Sequence, residues 1–284
     1  MQTVAIVGVG LIGASFGLAL KKAGFAGRIL GVSSPGALGD ALARGAIDEP
    51  AALEEAAARA DLVYLSQPIG RILETLVALG PHLGPGTLVT DAGSTKAAIV
   101  SRARQSISRA QFLGGHPMAG KEKRGAAEAD ADLFAGRTWV LTPVVPAELE
   151  TPPAREFAGW LKAIGAVPIV LAPEEHDRVV AATSHLPQLI STALAAVLAG
   201  RLDSPEHLKV AGPGLLDMIR LAASPYEIWA DILQTNAEAI EEALSAYIAK
   251  LEEVRAGLRS DRLEAEFDKA AGLARRLRGE FGLY

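Results

Sequence analysis

Three glycines at positions 8, 10 and 13, set between an apolar run and an amphipathic stretch, restrict the start of this chain more than any other feature. The run TVAIV (Thr3–Val7) has the short, β-branched character of a buried strand. The residues after the glycine turn, LIGASFGLALKK, have helical period. A strand that turns on glycine straight into a helix opens a βαβ unit. In that geometry Gly8 permits the tight turn, Gly10 leaves room for a pyrophosphate against the backbone, and Gly13 lets the helix lie close on the strand. The unpaired N–H groups at the helix start then hold the anion. Gly8, Gly10, Leu11, Ile12 and Gly13 are therefore the expected dinucleotide-binding turn.

The alternation continues. Arg28–Val32, Asp61–Leu65, Thr87–Asp91, Gln111–Gly115, Thr138–Leu141 and Pro168–Leu171 are further β-type runs, separated by Ala- and Leu-rich helical segments. Short apolar strands joined through helices imply a parallel sheet covered on both faces, and the right-handed crossover makes it doubly wound. After Ala172 the β-type runs stop. Pro173 with Glu174 and Glu175 is a good helix start, and that helix is expected to run to about Ala199 before Gly200. Longer helices are expected over Pro225–Ala256 and Asp261–Arg278. The fold class is thus α/β, a Rossmann-type sheet domain over 1–172, followed by an all-α domain over 173–284. Four such apolar helices seldom hide all their faces alone, so the helical domain is expected to form a homodimer.

Composition narrows the function classes. The net charge is −5 and no basic face is visible, which argues against nucleic acid as a partner. There are no cysteines, which excludes disulfides and thiolate metal sites. The glycines interrupt the N-terminal apolar stretch, and no basic n-region precedes it, so neither a signal peptide nor a membrane span is expected there and the cytoplasm is the expected location.

The remaining candidates sit at strand ends. The second strand ends in Ser33 and Ser34 where an acid would hold a ribose 2′-hydroxyl. The cofactor is therefore NAD or NADP, with NADP favoured, and Arg28 or Arg44 could help bind a 2′-phosphate. Alternatively, the serines merely start the next helix. Asp91 closes another strand and is a further cofactor candidate, ahead of Ser94 and Lys96 in DAGSTK. His116 lies in GGHPMAGKEK, where a histidine can serve as a base near neutral pH or simply cap a loop. His176 and His185 lie nine residues apart on one expected helix, half a turn out of phase, so they should face opposite sides and share no metal. His176 reads as a helix-start hydrogen bond or a cleft-closing residue, and His82 and His207 as surface residues.

GVGLIGASFGLAL, DAGSTK, GGHPMAGKEKRGAAEADADLFAGRTWVLTP, EEHDRVVAATSHLPQ and GPGLLDMIRLAASPYEIWADILQTN together resemble the prephenate/arogenate dehydrogenase family over nearly the whole chain. The resemblance implies a Rossmann domain followed by a helical dimerisation domain, and oxidative decarboxylation of prephenate or arogenate. It implies that His116 takes the proton of the substrate's ring hydroxyl and that Ser94 hydrogen-bonds both. His185 would line the substrate pocket and Arg220 would anchor a carboxylate through its planar fork. Lys96, Lys121 and Lys123 are candidates for the second carboxylate, or else solvated surface lysines. Two positions depart from the pattern: Gln188, expected among the substrate-binding residues near the substrate side chain, stands where a second histidine is usual, which bears on substrate preference, and Ile219 stands where threonine is usual. The rivals are another two-domain hydroxyacid or imine oxidoreductase, and a non-catalytic nucleotide-binding regulator that would need neither His116 nor Arg220.

Overall fold

A computed structural model describes residues 1–121 and 123–280. Glu122, within the HPMAGKEK stretch, and residues 281–284, the end of the expected helical domain, lie outside the described residues. The strands are β1 (Thr3–Val7), β2 (Arg28–Val32), β3 (Glu49–Pro50), β4 (Leu62–Leu65), β5 (Leu88–Asp91), β6 (Gln111–Phe112), β7 (Gly114–Pro117), β8 (Thr138–Thr142) and β9 (Val167–Val170). The first six form a parallel sheet in the order β3-β2-β1-β4-β5-β6. This is the doubly wound sheet that the alternation required. Its central strands are mostly apolar because both faces are covered. Val4, Ile6, Leu62, Tyr64 and Leu88 enter one core, and Ala5, Val7, Val63, Leu65 and Val89 the other.

The helices are α1 (Leu11–Lys22), α2 (Pro35–Ala43), α3 (Leu53–Arg59), α4 (Ile69–Leu79), α5 (Ala97–Ser106) and α6 (Pro152–Ala163). On one face Phe16 of α1 packs at 4.4 Å from Tyr64 and 5.8 Å from Trp139, ring centroid to centroid. On the other, Ile72, Leu76 and Leu79 of α4 and Ile99 of α5 cover the sheet.

One expected strand is two. Gln111–Gly115 begins as β6, parallel to β5, but after the buried Leu113 the chain leaves the first sheet. Its continuation β7 pairs antiparallel with β8, which pairs parallel with β9, to form a separate three-stranded sheet. A period-two pattern does not reveal which neighbour a strand chooses. This change of sheet places His116 opposite Val140 of β8.

The long apolar helix begins at Pro173 and ends at Ala199, as expected, but it is not uniform. It is α7 (Pro173–Val180), a π turn over Ala181–His185, then α8 (Leu186–Ala199). By length and composition this run could cross a membrane. Its buried His176, Asp177, His185 and Gln188, however, all hydrogen-bond to other elements of the same unit. After α9 (Pro205–Lys209), α10 (Pro213–Ile219) and a short turn at Arg220–Ala223 comes α11 (Tyr226–Thr235). The expected single helix over Pro225–Ala256 is interrupted at Asn236, whose φ is −131°.

The contacts divide the chain into two compact units, Met1–Ala237 and the residues from Glu238 on. The first unit therefore continues well past residue 172. The reason is visible in α7 and α11, which are tied to the sheet domain. Asp231 accepts from the Gly70 N–H at 2.8 Å, Thr95 and Thr235 hydroxyls meet at 2.8 Å, and Ile232 enters the core beneath α4. The second unit holds the rest of α12 (Ala237–Gly257) and α13 (Leu263–Glu280), joined by a Lys250–Glu266 ion pair at 3.4 Å.

Candidate active site

The nucleotide turn has the expected form. Gly8 takes φ +93°, and its N–H donates to the Val32 carbonyl at 2.8 Å. A side chain on Gly13 would strike the Gly8 carbonyl, and its Cβ would lie 2.5 Å from Ser66 Oγ and 2.8 Å from Ile6 Cγ2. At Gly10, which caps α1, a Cβ would meet nothing within 4 Å. Open space before a helix start that carries no acid in its first turn suits a pyrophosphate. Leu11 and Ile12 supply the next N–H groups of that turn. The residues present fit a dinucleotide.

At the β2 tip Ser33 is half-buried and Ser34 exposed, and Ser34 caps α2 through its backbone only, without a side-chain bond. The two arginines considered as helpers are committed elsewhere. Arg28 begins β2, at the opposite end of the strand from Ser33, and pairs with Glu49 at 3.2 Å. Arg44 donates to the carbonyls of Ala127 and Ala129 at 2.9 and 2.7 Å.

Asp91 is not a nucleotide ligand. It is fully buried, accepts from the N–H groups of Gly93 and Gly115 at 2.8 and 3.0 Å, and is ion-paired with Lys96. Its oxygens are spent inside the protein. Lys96 is likewise neither a surface lysine nor a carboxylate anchor. It is 0% exposed, and its ammonium also donates to the Gly115 carbonyl at 2.7 Å, beside His116. Burial pulls the Lys96 pKa down, against the pull of Asp91 and Asp177. Lys121 and Lys123 pair with Asp130 at 2.8 Å and Glu128 at 3.4 Å.

His116 is half-buried, and its Nδ1 lies 2.8 Å from His176 Nε2. His176 Nδ1 is 2.8 Å from Asp177 Oδ1. Asp177 in turn accepts the backbone N–H groups of Lys96 at 2.7 Å and Ala97 at 2.9 Å, at the start of α5. Among the described residues the ring partner of His116 is thus His176. Ser94 is half-buried and makes no side-chain hydrogen bond among the described residues. Burial, with His176, Lys96 and His185 nearby, holds the His116 pKa well below the usual histidine range.

His176 and His185 do not face opposite sides. Both are buried, at 0% and 1% exposure, and both bear on His116. The π turn between them is the cause. One extra residue in a helix rotates the residues beyond it by about 100°, which reduces a half-turn mismatch to about 80°. His185 Nδ1 lies 3.3 Å from the Asn236 amide nitrogen, which also donates to the Asp177 carbonyl at 2.9 Å. Asn236 therefore leaves His185 with its proton on Nε2. Burial lowers the His185 pKa to about 4, so the ring is neutral at pH 7.

Gln188 is buried and donates to the Leu221 carbonyl at 2.9 Å and to Thr192 at 3.2 Å. It ties the turn that carries the exposed Arg220 to α8. His82 and His207 lie on the surface, as expected.

Asp177 and Asn236 join the site beyond the residues singled out for it, and His176 and Lys96 enter it in roles other than those expected. Two of them carried a readable signal. A lysine at a helix start opposes the dipole unless it is paired, and an asparagine within a helical run marks a break.

Residues 16–167 match the family profile described as prephenate dehydrogenase, nucleotide-binding domain. Residues 172–272 match prephenate dehydrogenase, dimerization domain. The chain is 37% identical over 260 residues to the prephenate dehydrogenase of Lactococcus lactis subsp. cremoris, covering 89% of this chain and 70% of the other. It resembles the crystal structure of A. aeolicus prephenate dehydrogenase in complex with hydroxyphenyl propionate and NAD+, with a TM-score of 0.87, 30% identity, and coverage of 99% and 98%. It also resembles Synechocystis arogenate dehydrogenase, with a TM-score of 0.79, 30% identity, and coverage of 99% of both chains.

Proposed function

Because the chain belongs to the prephenate dehydrogenase family, we propose that it oxidatively decarboxylates prephenate to 4-hydroxyphenylpyruvate, on the route to tyrosine, with His116 as the base. The observation that carries this reading is the half-buried His116, its Nδ1 2.8 Å from His176 Nε2, with burial holding its pKa below the usual histidine range. Once bound at the Gly8–Gly13 turn, a nicotinamide dinucleotide supplies the hydride acceptor. His116 accepts the proton of the ring hydroxyl, and Ser94 orients that hydroxyl. His185 donates from Nε2 to the substrate. Arg220, on the turn held by Gln188, grips a carboxylate bidentately. Loss of the ring carboxylate follows from the substrate's own gain of aromaticity.

Ser33 and Ser34 present hydroxyls and no carboxylate to a 2′-phosphate, so the site accepts NADP as well as NAD and prefers NADP. The functional division of the chain falls at 172/173, with the helical part forming a homodimer. Val197, Leu208, Val210, Leu216 and Met218 expose 54–85% of their surface and supply its apolar contact.

The test is a steady-state assay that crosses prephenate and arogenate with NAD and NADP. Turnover of prephenate supports the reading. Turnover of arogenate alone transfers it to the amino substrate. Silence in all four combinations, with nucleotide still bound, refutes it.

A further inference from the structure

We infer that His176, backed by Asp177, is a positioning residue that locks His116 in its Nδ1–H tautomer and leaves Nε2 bare. The inference rests on the reading of His116 as the base, but its structural content can be tested separately.

At the far end of the chain of bonds, Asp177 receives the backbone N–H groups of Lys96 and Ala97, one on each oxygen, at the positive end of α5. Both carboxylate oxygens thus already serve as acceptors of N–H groups, and Oδ1 is placed to accept from His176 as well. His176 Nδ1, 2.8 Å from Asp177 Oδ1, must therefore carry a proton and donate it. A neutral imidazole that donates from Nδ1 carries no proton on Nε2. Its Nε2 is then an acceptor. His116 Nδ1, 2.8 Å away, can only be the donor. A neutral imidazole has one N–H, so His116 Nε2 keeps its lone pair.

The same logic orients many histidines through a carboxylate or carbonyl partner. Here the carboxylate acts through an intervening second histidine. The charged and titratable groups around His116 are His176 and His185 from the α7–α8 run and Lys96 from the loop before α5. Asp91 and Asp177 stand behind Lys96 and His176. An isolated neutral histidine prefers the opposite, Nε2–H tautomer, so the His176 contact has a distinct signature.

The experiment compares wild type, His176→Gln and His176→Leu as full-length proteins, with and without NAD+. Ring 15N NMR assigns the His116 tautomer, and steady-state kinetics with prephenate run alongside. Glutamine offers an acceptor oxygen near the position of Nε2; leucine offers none. We expect the Nδ1–H form in wild type and His176→Gln and the Nε2–H form in His176→Leu. In the leucine variant kcat should fall roughly 10–100-fold with KM within about threefold, and glutamine should restore most of it. The Nε2–H form in wild type overturns the inference, whatever the rates do. So does an equal loss of kcat in both variants when both melt as wild type does. If His176→Leu fails to fold, the wild-type and His176→Gln tautomers decide. Unimpaired turnover in His116→Asn would instead sink the reading of His116 as base and leave the tautomer assignment standing.

Discussion

Replacing Lys96 with methionine removes one half of an ion pair that is 0% exposed on both sides. Methionine fills much of the same space, so the loss is chiefly electrostatic. It leaves the Asp91 carboxylate buried and charged, with only the Gly93 and Gly115 N–H groups for company. It also removes the donor to the Gly115 carbonyl. Breaking one partner of a buried pair costs about 3–5 kcal/mol. At roughly 2–4 °C per kcal/mol for a chain of this size, Tm should fall by about 6–20 °C. The sharper test is the double variant Asp91→Asn, Lys96→Met. Asparagine still accepts from one of the two N–H groups but carries no charge, and the unmet second group costs about 1–3 kcal/mol. The double variant should therefore be more stable than Lys96→Met alone, with a coupling of about 2 kcal/mol or more between the sites. Thermal melts and urea titrations of the four proteins measure this. A Lys96→Met protein melting within about 2 °C of wild type, or strictly additive losses, would show that the pair is not electrostatically coupled in this way.

Other outcomes rest on the same geometry. The base must be neutral to act, and burial holds the His116 pKa well below 6.5, so kcat/KM should be full at neutrality and lost only as pH falls through that depressed value. An acid limb centred at 6.5 or above counts against it. His185 binds its proton less readily folded, at about 4, than unfolded, so stability should be full above pH 6.5 and decline as pH falls from there towards 4, read by melts across that window. Gly13→Ala places a methyl against the Gly8 carbonyl and Ser66, so it should lower stability by about 1–3 kcal/mol and raise the nucleotide KM; unchanged nucleotide affinity would contradict the close approach. Arg220→Lys keeps the charge but loses the fork, and should raise substrate KM by about tenfold with nucleotide KM unchanged.

Much of this architecture is legible in the residues. The β1–glycine–α1 opening, the alternating apolar runs and the helical character after Ala172 are local patterns, and local geometry answers to them. What the patterns lack is any record of who faces whom. Gln111–Gly115 reads as one strand because its composition does not mark where it changes sheet. Asp91 reads as a ligand from its place at a strand end, and only the fold shows Lys96 closing over it. His176 reads as a helix-start residue because its partner His116 is sixty residues away. The opposite-face expectation for His176 and His185 failed for a backbone reason, since uniform helical phase was assumed across a π turn.

That turn also sets a tolerance. The alignment of His185 with His176 and His116 is held by the number of residues between them as much as by their identities. A point substitution within Ala181–Ser184 can alter a side chain and leave the angular count intact. Closing the turn into a regular helix with all nine steps kept would rotate His185 by about 100° away from the cleft, whereas deleting one residue as it closes leaves eight steps of about 100° and the same phase of about 80°. The segment thus carries one residue more than a regular helix needs, and in this stretch a chain shortened by one residue should keep the histidines in phase where a chain lengthened by one should not.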